Sequence, residues 1–304
     1  MTDLLPADAL TGKRIAVSVS DSPDLARLGL TDTHVRLALG ETTRAVLVAG
    51  GGLLYGGHLK ADGYTPFLVE EFQRWQREES QHPHADETDA ELHGGSTRRT
   101  GQLVLCLAWS VHRQTPLSRI EEFDDILHTG GEVVCLSTDG RRIDPKTGRG
   151  EAPAPETDPR VVAESLTGLR RWMRDHSHGR VVVGGRRSGY QGAIPGVLEE
   201  TLLSLETEQP VYIAGGFGGV ALDISRALET APADWPPPAD AEESQPGLSY
   251  GLAKVVRLRR APTWSGLRNG LSDEENHRLA LTHRPSEIAA LISRGLGRLG
   301  APST

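Results

Sequence analysis

The sequence predicts an α/β fold: a Rossmann-like, doubly wound and mostly parallel sheet with helices on both faces and a helical C-terminal appendage. Two observations carry this. Residues 179–224 read as strand, glycine loop, helix, strand, glycine loop, helix. Upstream, further short β-branched runs alternate with stretches of helical spacing, the pattern of a parallel sheet covered on both sides. Strands that end in glycines just before a helix leave backbone N–H groups at the positive end of that helix, a place that suits a phosphate or another anion.

Residues 1–12 read as a loose lead-in. Lys13 to Ser20 alternates and is β-rich, so it is the first strand, ending in the polar turn Ser20-Asp21-Ser22-Pro23. In open α/β sheets, ligands bind outside that carboxyl end. Thr31 or Asp32 caps a helix through about Leu39, and a second helical stretch covers Thr42–Val48. The stretch from Ala49 to His58 is a strand with glycines at both ends, followed by a helix over Thr65–Glu78 with Pro66 in its first turn. Residues 80–100 are polar and irregular, an excursion from the sheet. Val104–Trp109 is the next strand; a short helix near Leu117–Asp125 leads to the strand Glu132–Leu136. Residues 139–158 read as a surface loop rich in Gly, Pro and charge. Pro159–His176 has apolar residues at helical spacing.

In the central stretch, Val181-Val182-Val183 suits a buried parallel strand and breaks at Gly184-Gly185. A helix opens at Gly196 and runs to about Glu206. Val211-Tyr212-Ile213 is the next strand, breaking at Gly215–Gly219, and a helix follows through Asp223 and Leu228. The acidic, proline-rich residues after Leu228 form a loop. Ala253–Leu258 reads as a last strand, Ser272-Asp273-Glu274-Glu275 as a capping box, and Pro285–Leu299 as a helix. One domain over residues 13–228, with insertions at 80–100 and 139–158, is expected. Residues 229–304 pack on it as an appendage.

The chain has 304 residues and a formal net charge of -8, which argues against a nucleic-acid backbone or an anionic membrane as partner. Its two cysteines, Cys106 and Cys135, fall within apolar strands, as core thiols of a reduced cytosolic protein do. No basic-then-apolar leader and no bilayer-length apolar run is present, so a cytoplasmic location is expected. His82, His84, Asp86 and His93 share a loop, but their spacing matches no zinc pattern, and neither a metal nor a cofactor is assigned.

The strand-end Gly184-Gly185 and the helix start Gly196-Val197-Leu198-Glu199-Glu200 match the two halves of a PGGxGTxxE signature, separated by the insert Arg186–Pro195. Leu54-Tyr55-Gly56-Gly57 matches an earlier VYGGG-type strand end, and Arg170 and Arg171 lie on the helix before the signature strand. On these motifs the chain resembles the SLOG superfamily over about residues 13–228. That group includes the LOG phosphoribohydrolases, the DNA-processing protein DprA and the sensor region of TRPM channels. The long insert and the Gly215–Gly219 cluster are most similar to the stand-alone prokaryotic SLOG clusters linked to nucleotide-based defence or stress systems.

The resemblance implies a homodimer that binds a nucleotide or an NAD- or ADP-ribose-derived ligand, sensing or processing it; the tail helix and Trp235 are possible contributors to the dimer. The alternative is a LOG-like enzyme that cleaves the N-glycosidic bond of a nucleoside 5′-monophosphate. The signature threonine, which meets the substrate phosphate in LOG proteins, is Val197 here. This departure and the insert bear on hydrolysis more than on binding.

Cleavage of an N-glycosidic bond builds positive charge on the ribose, and a carboxylate beside it stabilises that charge. The resemblance gives this part to Glu199 or Glu200. Being adjacent, the two point about 100° apart on a helix, so one at most faces the ligand. Either Arg170 or Arg171 suits bidentate phosphate contact. Arg186 and Arg187 are candidate anion contacts, against an ordinary basic surface loop. Ser18 and Ser20 could bond ribose or phosphate, or cap a turn. Gly56, Gly57, Gly184, Gly185, Gly196, Gly215, Gly216, Gly218 and Gly219 allow close backbone approach to a ligand, or positive φ at tight turns.

Overall fold

The computed structural model describes residues 5–6, 8–81, 102–149, 153–234 and 246–300. Most of residues 80–100, with His82, His84, Asp86 and His93, and also Trp235, lie outside the described residues. The sheet has seven strands in the order β5-β4-β3-β2-β1-β6-β7. They are β1 (Arg14–Ser20), β2 (Gly52–Gly56), β3 (Leu103–Leu107), β4 (Gly131–Leu136), β5 (Arg142–Ile143), β6 (Gly179–Gly184) and β7 (Val211–Ala214). All pairings are parallel except β4 with β5. Apart from the buried Ser18 of β1 and Arg180 of β6, the interior strands are largely apolar on both sides, as a doubly covered parallel sheet requires.

One face carries α1 (Asp32–Val48), α2 (Tyr64–Gln81) and α4 (Leu117–Leu127), whose Leu39, Phe72 and Phe123 join Val17, Val19 and Leu105 in one core. The short turn α3 (Trp109–His112) precedes α4, and α5 (Pro145–Gly148) follows β5. On the other face, Leu169 and Met173 of α6 (Pro159–Asp175) pack on Ala16, Leu54 and Val104. Beside it, α7 (Gly196–Glu206) and α8 (Gly219–Ala227) pack on Val182, Val211 and Ile213. Pro159 sits in the first turn of α6, and the Asp158 carboxylate accepts from the Arg160 amide at 2.8 Å, which fixes where that helix begins.

Three helices end the chain: α9 (Pro246–Arg259), α10 (Asp273–Leu281) and α11 (Pro285–Gly300). The capping box at α10 is formed: Ser272 Oγ accepts from the Glu275 amide at 3.2 Å, and Glu275 Oε2 accepts from the Ser272 amide at 2.9 Å.

The structure corrects three local expectations. Residues 32–48 form one helix, not two, because Ala38, Leu39, Thr42 and Val46 continue a single buried stripe. Ala253–Leu258 is helical, within α9; Val255 is buried against α7 while its neighbours are partly exposed, so the β-branched pair Val255-Val256 does not alternate as a strand would. Residues 139–158 include β5 and α5 as well as loop, and β5 closes the sheet as an antiparallel edge.

Candidate functional site

The strand order reverses direction at β1. From it the chain winds outward through β2, β3 and β4 on one side and through β6 and β7 on the other. The crevice at such a switch point, outside the strands' carboxyl ends, is where open α/β sheets hold ligands. Here its rim is made by Ser20 and Asp21, Gly184 and Gly185, and the start of α7.

Gly56, at the end of β2, lets α6 lie directly on the sheet: a Cβ there would stand 2.5 Å from Met173 Sδ and 3.1 Å from Leu169 Cδ2. That close approach brings Arg170 to the crevice. Its guanidinium is buried and lies along the beginning of α7, where a Cβ on Gly196 would come within 2.7 Å of Nη2. Arg170 Nη1 donates to Glu199 Oε2 at 2.5 Å, and Thr167 Oγ donates to Glu199 Oε1 at 2.6 Å. Arg171, the adjacent position, points to solvent. The first turn of α7 has Pro195 as its cap residue and no side-chain cap. A guanidinium therefore adjoins a helix start whose amides no side chain has taken.

Glu200 turns toward the sheet. Its Oε2 accepts from Ser18 Oγ and, at 3.2 Å, from Arg180 Nη1. Its Oε1 lies 3.7 Å from Arg170 Nε, which makes no hydrogen bond. Both glutamates thus share a balanced set of two carboxylates and two guanidinium groups. Ser18 is buried beneath Glu200 and does not line the open crevice. Sequence reasoning missed Arg180. The signal available was an arginine in phase with Val182 on one face of a buried strand.

The second and third glycine tips are built against each other. Gly184 and Gly185 have φ of 65° and 107°, and Gly218 and Gly219 have 74° and 65°, values that glycine tolerates and other residues rarely do. Amides that the sequence leaves bare have internal acceptors. Gly185 donates to Ser20 O at 3.1 Å, Arg186 to Ser20 Oγ at 3.3 Å, and Val220 to Gly185 O at 3.0 Å. Gly218 donates to Gly215 O at 2.8 Å, and Gly219 to Asp24 Oδ2 at 2.7 Å. Gly216 is pressed against Thr282, whose carbonyl oxygen would be 2.0 Å from an added Cβ. Gly57 packs under the ring of Tyr55.

Arg187 binds Asp223 at 2.7 Å and Asp24 at 2.8 Å in a largely buried cluster. Burial opposes its charge, but the two carboxylates outweigh that and push its pKa up. Arg186 is exposed and pairs with exposed Asp21 across the mouth of the crevice. Tyr190 reaches α9, with its hydroxyl 2.3 Å from where a Cβ on Gly247 would be. The insert is therefore held down at one end by Arg187 and near the other by α9.

Cys106 and Cys135 are buried free thiols. Burial raises both, Cys135 to about 12, so neither is a thiolate nucleophile at neutral pH. Among the described residues no group of three His, Cys, Asp or Glu side chains could hold a metal ion, and no helix is long and apolar enough to cross a membrane. Two surface cavities of about 340 and 330 Å³ lie elsewhere, one between α2 and the end of α4, the other at the amino edge of the sheet beside Lys13, Arg14 and His178.

A family model described as SLOG cluster2 matches residues 9–279. No curated protein matches the chain.

Proposed function

The chain belongs to the SLOG cluster2 family, and from that membership and the geometry of the crevice we propose that it binds a nucleotide or an NAD- or ADP-ribose-derived molecule between the ends of β1 and β6. The observation that carries the reading is Arg170, a nearly buried guanidinium laid along the start of α7 at the switch point. A phosphate there gains a cation and helix amides together. The ribose then lies over Glu200, whose Oε1 is available to accept a hydroxyl, and under the exposed pair Asp21–Arg186. The tip at Gly215–Gly219 takes no part, because Asp24 already occupies its leading amide.

Binding without turnover is the preferred role. Val197, at the signature threonine position, is buried beside Gly185 and brings no hydroxyl to a phosphate. Glu199 is committed to Arg170 and Thr167. The second reading, hydrolysis of a nucleoside 5′-monophosphate, is favoured by one feature: Glu200 is a carboxylate held in place by Ser18 and Arg180 at the crevice, the kind of group that stabilises a ribosyl cation. A homodimer in a prokaryotic stress or defence setting completes the proposal on the family resemblance.

Mass spectrometry of small molecules released from the purified protein tests the ligand class, and calorimetry with AMP and ADP-ribose tests the site. Tight binding of an intact nucleotide, abolished by Arg170→Ala, supports the first reading. Release of base from AMP, lost in Glu200→Gln, supports the second. Absence of any copurifying or added nucleotide ligand overturns both.

A further inference from the structure

We infer that Arg180 is a positioning residue of this site: its guanidinium holds Glu200 Oε2, leaving Oε1 as the one oxygen that Glu200 presents to a ligand hydroxyl. The inference rests on the reading above, in which Glu200 serves a nucleotide-derived ligand.

Arg180 is fully buried within β6, the largest side chain so enclosed. The parallel register pairs Ala16 with Arg180 and Ser18 with Val182. Ala16, Ser18, Arg180 and Val182 therefore share the face covered by α6 and α7. Arg180 Nη1 donates to Ser18 Oγ at 2.7 Å and to Glu200 Oε2 at 3.2 Å, while Nε donates to Ser204 Oγ at 2.8 Å. Ser204 lies one turn beyond Glu200 on the same helix, so a single guanidinium spans two turns of α7. Ser204 in turn donates to Gln209 Oε1 at 2.8 Å, and Gln209 Nε2 donates to the carbonyl oxygen of Arg174 at 3.0 Å. The arginine is thus braced from the ends of both flanking helices.

The chemistry of the placement argues for a role at the site. Next door, Val182 fills the same face with an apolar side chain, and an apolar residue at 180 would avoid taking a charge out of water. What only a cation supplies is a fixed positive group under Glu200. Burial lowers the pKa of the Arg180 guanidinium and the charge of Arg170 lowers it further, whereas Glu200 raises it. Glu200 is the carboxylate that compensates the charge. Ser18 closes the triangle by donating to the same oxygen that Arg180 holds. With Oε2 doubly engaged, the carboxylate is held in place, and Oε1 lies 3.7 Å from Arg170 Nε, a buried atom without a hydrogen bond. A ligand hydroxyl at the crevice can donate to Oε1.

The test measures binding of AMP, ADP-ribose and ribose 5-phosphate to the full chain by calorimetry, with circular dichroism to confirm folding. The proteins are wild type, Ser18→Ala, Arg180→Gln, Glu200→Gln and Arg180→Gln/Glu200→Gln. The double variant removes both charges together, and Ser18→Ala removes only the hydroxyl, so folded material is secured even where the single arginine variant unfolds. The expected result is a tenfold or greater loss of affinity in Arg180→Gln, a several-fold loss in Ser18→Ala, and no further loss when Glu200→Gln is added to Arg180→Gln. Where Arg180→Gln alone does not fold, an affinity of the double variant equal to that of Glu200→Gln is the expected sign. Independent, multiplying losses, or unchanged affinity in folded Ser18→Ala and Arg180→Gln, overturn the positioning role while leaving the ligand reading intact. Failure of the wild type to bind any of the three probes overturns the ligand reading and this inference with it.

Discussion

The Asp24 carboxylate accepts the Gly219 amide at 2.7 Å, so a side chain from the loop after β1 closes the amino end of α8. The same carboxylate oxygen receives Arg187 from the insert after β6, at 2.8 Å. Three chain segments, far apart in sequence, meet on one buried acid. Burial alone would raise the Asp24 pKa, but Arg187 and the Gly219 amide outweigh it and hold the carboxyl at about 2, below the ordinary 3.8. Because the folded value is the lower one, its contribution is fully present above about pH 4 and is lost as pH falls through about 2. Asp24→Asn is expected to cost about 2 kcal/mol at neutral pH and to flatten the loss of stability between pH 4 and 2. Denaturant midpoints measured across that range check this. Glu275, lowered to about 2 chiefly by Arg298, leaves the variant with some acid sensitivity. A difference between wild type and variant that does not shrink on acidification would refute the assignment.

Substitutions of Glu199 and Glu200 are expected to differ in their effect on stability as well as on function. Glu200→Ala strands the fully buried Arg180 without its carboxylate, the situation that typically costs about 3 kcal/mol or more. Glu199→Ala leaves Arg170 close to Glu200 and to the crevice rim, and is expected to cost clearly less. Chemical denaturation of the two variants gives the order directly. Equal losses would mean that Arg180 draws little from Glu200.

Much of the fold was legible because it is written locally. β-Branched runs, strand-end glycines and the Ser272–Glu275 box each act within a few residues, and the elements fall where those signals place them. The exceptions are instructive. Val255-Val256 carries a strand's composition, yet tertiary packing on α7 makes it helix. Of the site, the resemblance points to Arg170 or Arg171 and to Glu199 or Glu200, but not to the pairing of Arg170 with both glutamates. Nor could the internal use of the other charges be anticipated. Asp24 directly follows the turn Ser20-Asp21-Ser22-Pro23 and carries no signal of its own, and Arg187 reads as an anion contact or an ordinary basic loop residue. Their pairing spans 163 positions of sequence, and nothing local encodes it.

Arginines 170 and 171 separate a buried role from a solvated one. Arg170→Lys keeps the charge but loses the planar fork that reaches both Glu199 and the start of α7. Arg170→Ala is expected to weaken nucleotide binding on the order of a hundredfold, and Arg170→Lys to recover only part of that. Arg171→Ala, altering an exposed side chain, is expected to change affinity by no more than about twofold. Calorimetry with AMP or ADP-ribose decides, and a comparable loss in Arg171→Ala would place the ligand on the outer face of α6 instead.

The glycine loops divide into those that need glycine for space and those that need it for φ alone. Gly184 has φ 65°, and a Cβ on it would stand 2.5 Å from the carbonyl oxygen of Ser20, a backbone atom on the neighbouring strand that cannot yield without opening the sheet. Gly189, in the insert, has nearly the same φ, 67°, with no atom within 4 Å of an added Cβ. Gly189→Ala is therefore expected to cost about 1 kcal/mol, the price of a left-handed alanine. Gly184→Ala adds a backbone collision and is expected to cost about 3 kcal/mol or more. Because Gly184 adjoins Ser20 at the crevice, it should also weaken nucleotide binding in whatever fraction remains folded. Paired denaturation curves test the contrast. If Gly184→Ala proves as mild as Gly189→Ala, the tip of β6 is able to shift, and the crevice between β1 and β6 is less rigid than its geometry implies.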